Sequence, residues 1–179
     1  MTATLILGGA RSGKSAYAER RALESGKTVC YVATATAGDE EMTARIAAHQ
    51  AARPAEWRTL EAPIRVGQIL QQHHKGEAIV LLDCITLLAN NRLMELPQPV
   101  EENTYQAALD GEAAALAEAI RRLPVETWWI ISNEVGLGLV PEYPLGRVYR
   151  DGLGRLNQRL AQICDHVILM VAGLPLQVK

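Results

Sequence analysis

The chain has few cysteines, almost no net charge and no apolar run long enough to cross a membrane. Each shortage excludes a class of protein. Cys30, Cys84 and Cys164 are odd in number, far apart and embedded in apolar segments. They offer neither a zinc-ligand spacing nor a disulfide framework, and read as buried reduced thiols. A net charge of −2 with interspersed signs leaves no electrostatic footprint for nucleic acid or an anionic membrane. The first apolar run, Leu5 to Leu7, is too short for a signal peptide, and the longest later one, residues 78–89, is interrupted by Asp83. There is no internal repeat and no low-complexity linker. These absences predict a soluble, cytoplasmic protein with no nucleic-acid partner and no membrane span.

What is present suits one packed domain over residues 1–179, with 49% apolar content for a core. Short β-branched runs alternate with longer helical patterns, the sequence of a parallel α/β sheet. Strands are expected at 4–7, 28–33, 78–82, 127–132 and 166–171, with weaker signals at 57–60 and 176–178. Helices are expected at 14–24, 40–52, 64–73, 85–95, 104–122 and 147–163. Gly26 stands where a helix C-cap would, Pro63 suits the first turn of the third helix, and Pro54 should end the second. LPQPVEEN, residues 96–103, reads as a surface loop inside the domain.

GGARSGKS, residues 8–15, fills the pattern G-x-x-x-x-G-K-[ST] between an expected strand and an expected helix. Glycines let the backbone curl so that successive N–H groups face one set of oxygens, and the helix N-terminus adds its positive field. Lys14 bridges the outer phosphates and the Ser15 hydroxyl suits a magnesium shell. That shell also wants a carboxylate at the end of a neighbouring strand, and AIVLLDC supplies Asp83. The alternative duty for Asp83 is to cap the helix that follows; the phosphate loop favours the metal. In ISNEVGLGLVPE, Asn133 and Glu134 leave another strand at the same carboxyl edge, where open parallel sheets bind ligands. Glu134 is either a substrate contact or a loop acid.

Arg45, His49 and Arg53 are spaced i, i+4, i+8 and share one helical face. Cationic neighbours favour a neutral, nucleophilic imidazole, and the arginines suit phosphate oxygens. A histidine among arginines is equally a solvated helix face. His73 and His74 sit at a helix end, where capping is the simpler duty, and His166 has no evident partner.

In the order GGARSGKS, YVATA, ARIAAHQAARPAEW, LLDCIT, SNEVGLGLVPE and GRLNQRLA, the chain resembles the bifunctional adenosylcobinamide kinase and adenosylcobinamide-phosphate guanylyltransferase family of cobalamin biosynthesis. The resemblance spans Leu5 to about Gly173 and rests on the ordered set, since only the phosphate loop is specific alone. Residues 95–106 contribute nothing to it. It implies an α/β P-loop NTPase fold with a mostly parallel, RecA-like sheet flanked by helices, and a homotrimer. It implies that Gly8, Gly9, Ala10, Arg11, Ser12, Gly13, Lys14 and Ser15 hold nucleotide phosphates. Ala33, Thr34, Ala35, Gln50, Ala51, Ala52, Arg53, Glu61 and Asp83 would complete the GTP site, with Ser15 and Asp83 on Mg2+. Lys14 and His49 would be catalytic, His49 as the nucleophile that carries GMP.

One loop would then serve two steps. ATP or GTP phosphorylates adenosylcobinamide; GMP then passes from GTP through His49 to adenosylcobinamide phosphate, giving adenosylcobinamide-GDP and pyrophosphate. A helix from Glu40 to His49 carries the ring roughly 14 Å along its axis, at about 1.5 Å per residue. His49 must therefore project, swing on nucleotide binding, or reach a neighbouring subunit. The competing readings are a simple P-loop small-molecule kinase without a covalent intermediate, and a nucleotide-sensing binding module.

Overall fold

The apolar runs pair into one seven-stranded sheet in the computed structural model, which describes residues 1–36, 38, 43, 44, 47, 50, 51 and 53–179. The strands are β1 (Thr2–Gly8), β2 (Val29–Ala33), β3 (Arg58–Glu61), β4 (Ile79–Asp83), β5 (Thr127–Ile131), β6 (His166–Val171) and β7 (Leu174–Gln177). Their spatial order is β3-β2-β4-β5-β1-β6-β7. All neighbours run parallel except β7, which returns antiparallel along β6. Pro175 sits in this edge strand, where a missing N–H costs no ladder bond to a further strand. The expected mostly parallel α/β fold is the one observed.

Strands covered on both faces read as unbroken apolar runs, which is why β1, β2 and β4 were legible. Alternate side chains serve two layers. Leu5, Val32, Val80, Leu82 and Ile130 pack with α2 (Val66–His73), α3 (Ile85–Met94), α4 (Glu102–Arg122) and α5 (Pro144–Ile163). Ile6, Tyr31, Leu81 and Ile131 pack with α1 (Lys14–Glu24) on the other face. Of the helix expected over 40–52, Thr43, Ala44, Ala47, Gln50 and Ala51 are helical. The chain has left it at Arg53 and Pro54, as the proline requires.

Three helix starts differ from expectation. Helix α2 begins at Val66, not at Ile64, because Arg65 takes a left-handed conformation (φ 53°) as its N-cap. Pro63 is therefore outside the helix, and its carbonyl accepts from Asn91 Nδ2 at 2.9 Å. Helix α4 begins at Glu102, shortening the expected loop. Helix α5 begins three residues early, with Pro144 in its first turn.

At the amino edge of the sheet, Arg58 pairs with the buried carboxylate of Glu77. The Lys75 N–H also donates to Glu77, at 2.9 Å. His74 does not cap α2 with its ring: Nε2 meets the Glu77 carbonyl at 3.0 Å and Nδ1 accepts from Gly76 N–H at 3.3 Å, bracing the following turn. Cys30 and Cys164 are buried free thiols, as expected, and Cys84 is half-buried and free.

Candidate nucleotide-binding site

Strand β1 feeds the glycine-rich loop directly into α1. At Gly8 (φ +152°) a β-carbon would lie 2.6 Å from Ser12 Oγ and 2.7 Å from the Met170 carbonyl, so no side chain fits there. Gly13, the N-cap of α1, has φ 96°, a conformation that glycine adopts without steric penalty. The loop is anchored from two sides. Glu134 N–H donates to the Gly8 carbonyl at 3.1 Å, and Gly173 N–H donates to the Ser12 carbonyl at 3.0 Å.

Lys14, 8% exposed, curls back over this loop. Its ammonium donates to the carbonyls of Gly8 at 3.0 Å and Gly9 at 2.6 Å. Burial lowers its pKa from the ordinary lysine value, and the negative field of Asp83 opposes that shift.

These groups open onto a cleft of about 420 Å³ at the carboxyl ends of the strands. The loop contributes Ala10, Arg11, Lys14 and Ser15; β2 and its exit contribute Tyr31, Ala33 and Ala35. Gln50, Arg53 and Glu61 form one wall, and Asp83, Cys84, Thr86, Leu87, Ile131 and Asn133 the opposite one. Thus Ala10, Arg11, Lys14, Ser15, Ala33, Ala35, Gln50, Arg53, Glu61 and Asp83 line one cleft, with Gly8, Gly9, Ser12 and Gly13 supplying the loop backbone. Ala51 is exposed and is not among the lining residues. His49, Ala52 and Arg45 lie outside the described residues.

Thr34 departs from its expected place. It is fully buried, and its hydroxyl donates to the Cys84 carbonyl at 2.7 Å while accepting from Cys84 N–H at 2.7 Å. It ties β2 to the start of α3 and presents no side chain to the cleft.

Asp83 does not cap α3. The N-cap is Cys84, with no side-chain cap bond, and Asp83 Oδ2 instead accepts from the Tyr31 hydroxyl at 2.8 Å. Cys84 lines the cleft as a neutral thiol, since burial first and Asp83 second push its pKa up to about 11. Glu134 acts on its own loop: its Oε1 accepts from Gly136 N–H at 2.8 Å. It lines a separate open groove of about 720 Å³ along α5, which lacks the phosphate loop.

Sequence reasoning missed Tyr31, Cys84, Thr86, Leu87 and Ile131 as lining residues. It also left GRLNQRLA without a structural role. Asn157 from that motif is buried; its Nδ2 donates to the Asn133 carbonyl at 3.0 Å and its Oδ1 accepts from Ser132 Oγ at 2.6 Å. Asn133 N–H in turn donates to Thr86 Oγ1 at 2.9 Å. The wall opposite Arg53 is thus fixed by a buried amide on α5.

Ser15 and Asp83 both line the cleft and carry oxygen donors of the kind magnesium takes. Among the described residues no group of three or more His, Cys, Asp and Glu side chains could hold a metal. Magnesium needs no such cage, because it takes one or two carboxylates and completes its shell with water and substrate phosphates.

Residues 4–178 match the family described as cobinamide kinase / cobinamide phosphate guanyltransferase. The chain is 49% identical to the bifunctional adenosylcobalamin biosynthesis protein CobP of Pseudomonas aeruginosa, covering 98% of this chain and 96% of that one. It is 39% identical to the bifunctional adenosylcobalamin biosynthesis protein CobU of Salmonella typhimurium, covering 98% of both. Among solved structures, the flagellar accessory protein FlaH from Methanocaldococcus jannaschii superposes with a TM-score of 0.57 at 13% identity, over 99% of this chain and 78% of that one. That likeness bears on the fold alone.

Proposed function

Because the chain belongs to the cobinamide kinase / cobinamide phosphate guanyltransferase family, we propose that it carries out two successive transfers on one phosphate loop. In the first, the terminal phosphoryl of ATP or GTP moves to the hydroxyl of adenosylcobinamide. In the second, His49 attacks the α-phosphorus of GTP and releases pyrophosphate. The phosphate of adenosylcobinamide phosphate then attacks the guanylylated histidine, giving adenosylcobinamide-GDP and freeing the imidazole. The observation that carries this reading is the convergence of Lys14, Ser15, Asp83, Arg53 and Glu61 on one cleft.

The chain's groups divide the work by chemistry. Loop N–H groups and the α1 N-terminus favour phosphate oxygens. Lys14 exchanges the Gly8 and Gly9 carbonyls for outer phosphate oxygens, stabilising charge that develops on the transferred phosphoryl or on the leaving pyrophosphate. Ser15 and Asp83 would hold magnesium, which would supply further charge neutralisation. Arg53 and Glu61 face the remainder of the nucleotide. Only the histidine distinguishes the second step from the first.

The same reading makes the protein a cytoplasmic homotrimer acting on small molecules, without nucleic acid. Support for self-association lies on the sheet edge, where Leu174, Leu176 and Val178 are each more than half exposed at alternate positions. Among the described residues no helix is long and apolar enough to cross a membrane.

Incubation with GTP labelled at the α-phosphate, with magnesium, tests the function. The protein should acquire label that γ-labelled GTP does not give, and the adduct should be lost in acid and persist in alkali, as a phosphorus–nitrogen bond does. Phosphorylation of adenosylcobinamide without any such adduct would reduce the protein to a simple P-loop small-molecule kinase.

A further inference from the structure

Tyr31 stands at the floor of the cleft, 2% exposed, in a strand whose composition reads as plain core. Both ends of its side chain are engaged by groups that face the nucleotide. The hydroxyl donates to Asp83 Oδ2 at 2.8 Å. The guanidinium of Arg53 lies over the ring, 3.5 Å from its centroid, a stacking that suits the planar arginine cation. Arg53 Nε is buried and has no hydrogen-bond partner among the described residues, so this donor is unsatisfied until an acceptor enters.

From this juxtaposition we infer that Tyr31 is a positioning residue that couples magnesium binding to nucleotide binding. Its hydroxyl occupies one oxygen of Asp83 and so fixes how that carboxylate is presented; its ring holds the Arg53 guanidinium in place by stacking. The inference rests on the assignment of Asp83 to magnesium made above. Outer-shell partners of this kind orient metal ligands and are not themselves ligands. Tyr31 therefore acts through Asp83 and Arg53 and does not touch the transferred group.

The two functions separate by substitution. Tyr31→Phe keeps the ring under Arg53 and removes only the hydroxyl; Tyr31→Leu removes both. The probe is a fluorescent GTP analogue titrated onto the full chain, once with EDTA and once with magnesium, alongside circular dichroism to verify folding. The ratio of the two affinities measures the coupling. Tyr31→Phe should bind as the parent does in EDTA, and its magnesium enhancement should fall by about tenfold or more, on the scale of second-shell losses. Tyr31→Leu should also bind more weakly in EDTA.

An unchanged magnesium enhancement in Tyr31→Phe would overturn the inference, as would equal losses with and without the metal. Asp83→Asn provides the second arm. If it loses the enhancement while Tyr31→Phe keeps it, only the role of Tyr31 fails. If Asp83→Asn keeps it as well, the magnesium assignment itself is wrong.

Discussion

The ammonium of Lys14 lies 2.6 Å from the carbonyl oxygen of Gly9, in the loop that also delivers the lysine to the cleft. The cation is satisfied by its own loop, and an incoming phosphate must displace those carbonyls. Lys14→Ala should therefore remove charge from both transfers together, by about two to four powers of ten in rate on the scale of oxyanion stabilisers. Because the lysine's partners are loop carbonyls and not core side chains, the melting temperature should change little. Steady-state assays of both steps check this; near-normal retention of either would assign that step to another nucleotide site.

His49→Ala should abolish labelling from α-labelled GTP and the guanylyl transfer, since the substitution removes the nucleophile itself. Phosphorylation of adenosylcobinamide should persist, because that transfer is direct. Equal loss of both activities in a folded protein that still binds nucleotide would make the histidine a shared phosphate clamp.

Glu77 predicts a pH dependence. Burial by itself would raise its pKa, but the Arg58 hydrogen bond and the Lys75 amide outweigh burial and hold the carboxyl down at about 2. A depressed folded value means the stabilisation is complete above the ordinary value of 4.5 and is lost as pH falls from there toward about 2. Glu77→Gln should lower stability at neutral pH and flatten the decline across that window. Denaturant titrations from pH 7 to pH 3 measure it, and parallel curves for the two proteins would contradict the assignment.

Two helical glycines should respond oppositely to alanine. A β-carbon on Gly67 of α2 would fall 2.2 Å from the Ala115 carbonyl carbon and 2.6 Å from Leu116 N, both backbone atoms of α4. Those helices must separate to admit it, so Gly67→Ala should destabilise by about 3 kcal/mol or more. Gly111 is exposed on α4 with no atom near its added carbon. Gly111→Ala should stabilise by about 0.5–1 kcal/mol, the helix-propensity difference. Thermal unfolding of the two variants checks the pair; a neutral Gly67→Ala would mean the helices are less closely packed than described.

What was legible in the chain followed from local chemistry. The phosphate loop has a residue-by-residue rationale, and Asp83 ends an apolar run, so both were readable without coordinates. Tyr31 was not, because VCYVA is indistinguishable from core until the strands are in register. Pairing Ala33 with Asp83 and Tyr31 with Leu81 sets Tyr31 diagonal to the carboxylate on one face of the sheet. The Thr34 error has the same origin: alternation turns its side chain away from the cleft. For α5 a signal was available and unused, since Pro144 marks a helix's first turn better than Arg147 does. The late start of α2 depends on the left-handed Arg65, which no propensity rule anticipates.

The placement of β1 also sets an order of events in time. Of the seven strands β1 is the earliest in the chain, and it pairs with β5 and β6, Thr2 beside Thr127 and Thr4 beside His166. Closing such distant partners is slow, because chain entropy is lost before contacts reward it. The segments bearing Tyr31, Glu61 and Asp83 can pair among themselves as β3-β2-β4 while β1 still lacks both neighbours. The phosphate loop, ahead of its partners in the chain, should thus be assembled last, and a nascent chain should gain nucleotide affinity only once β5 and β6 have emerged. Pulsed hydrogen exchange during refolding should find β1 amides protected no earlier than those of β5; earlier protection in β1 would reverse that order.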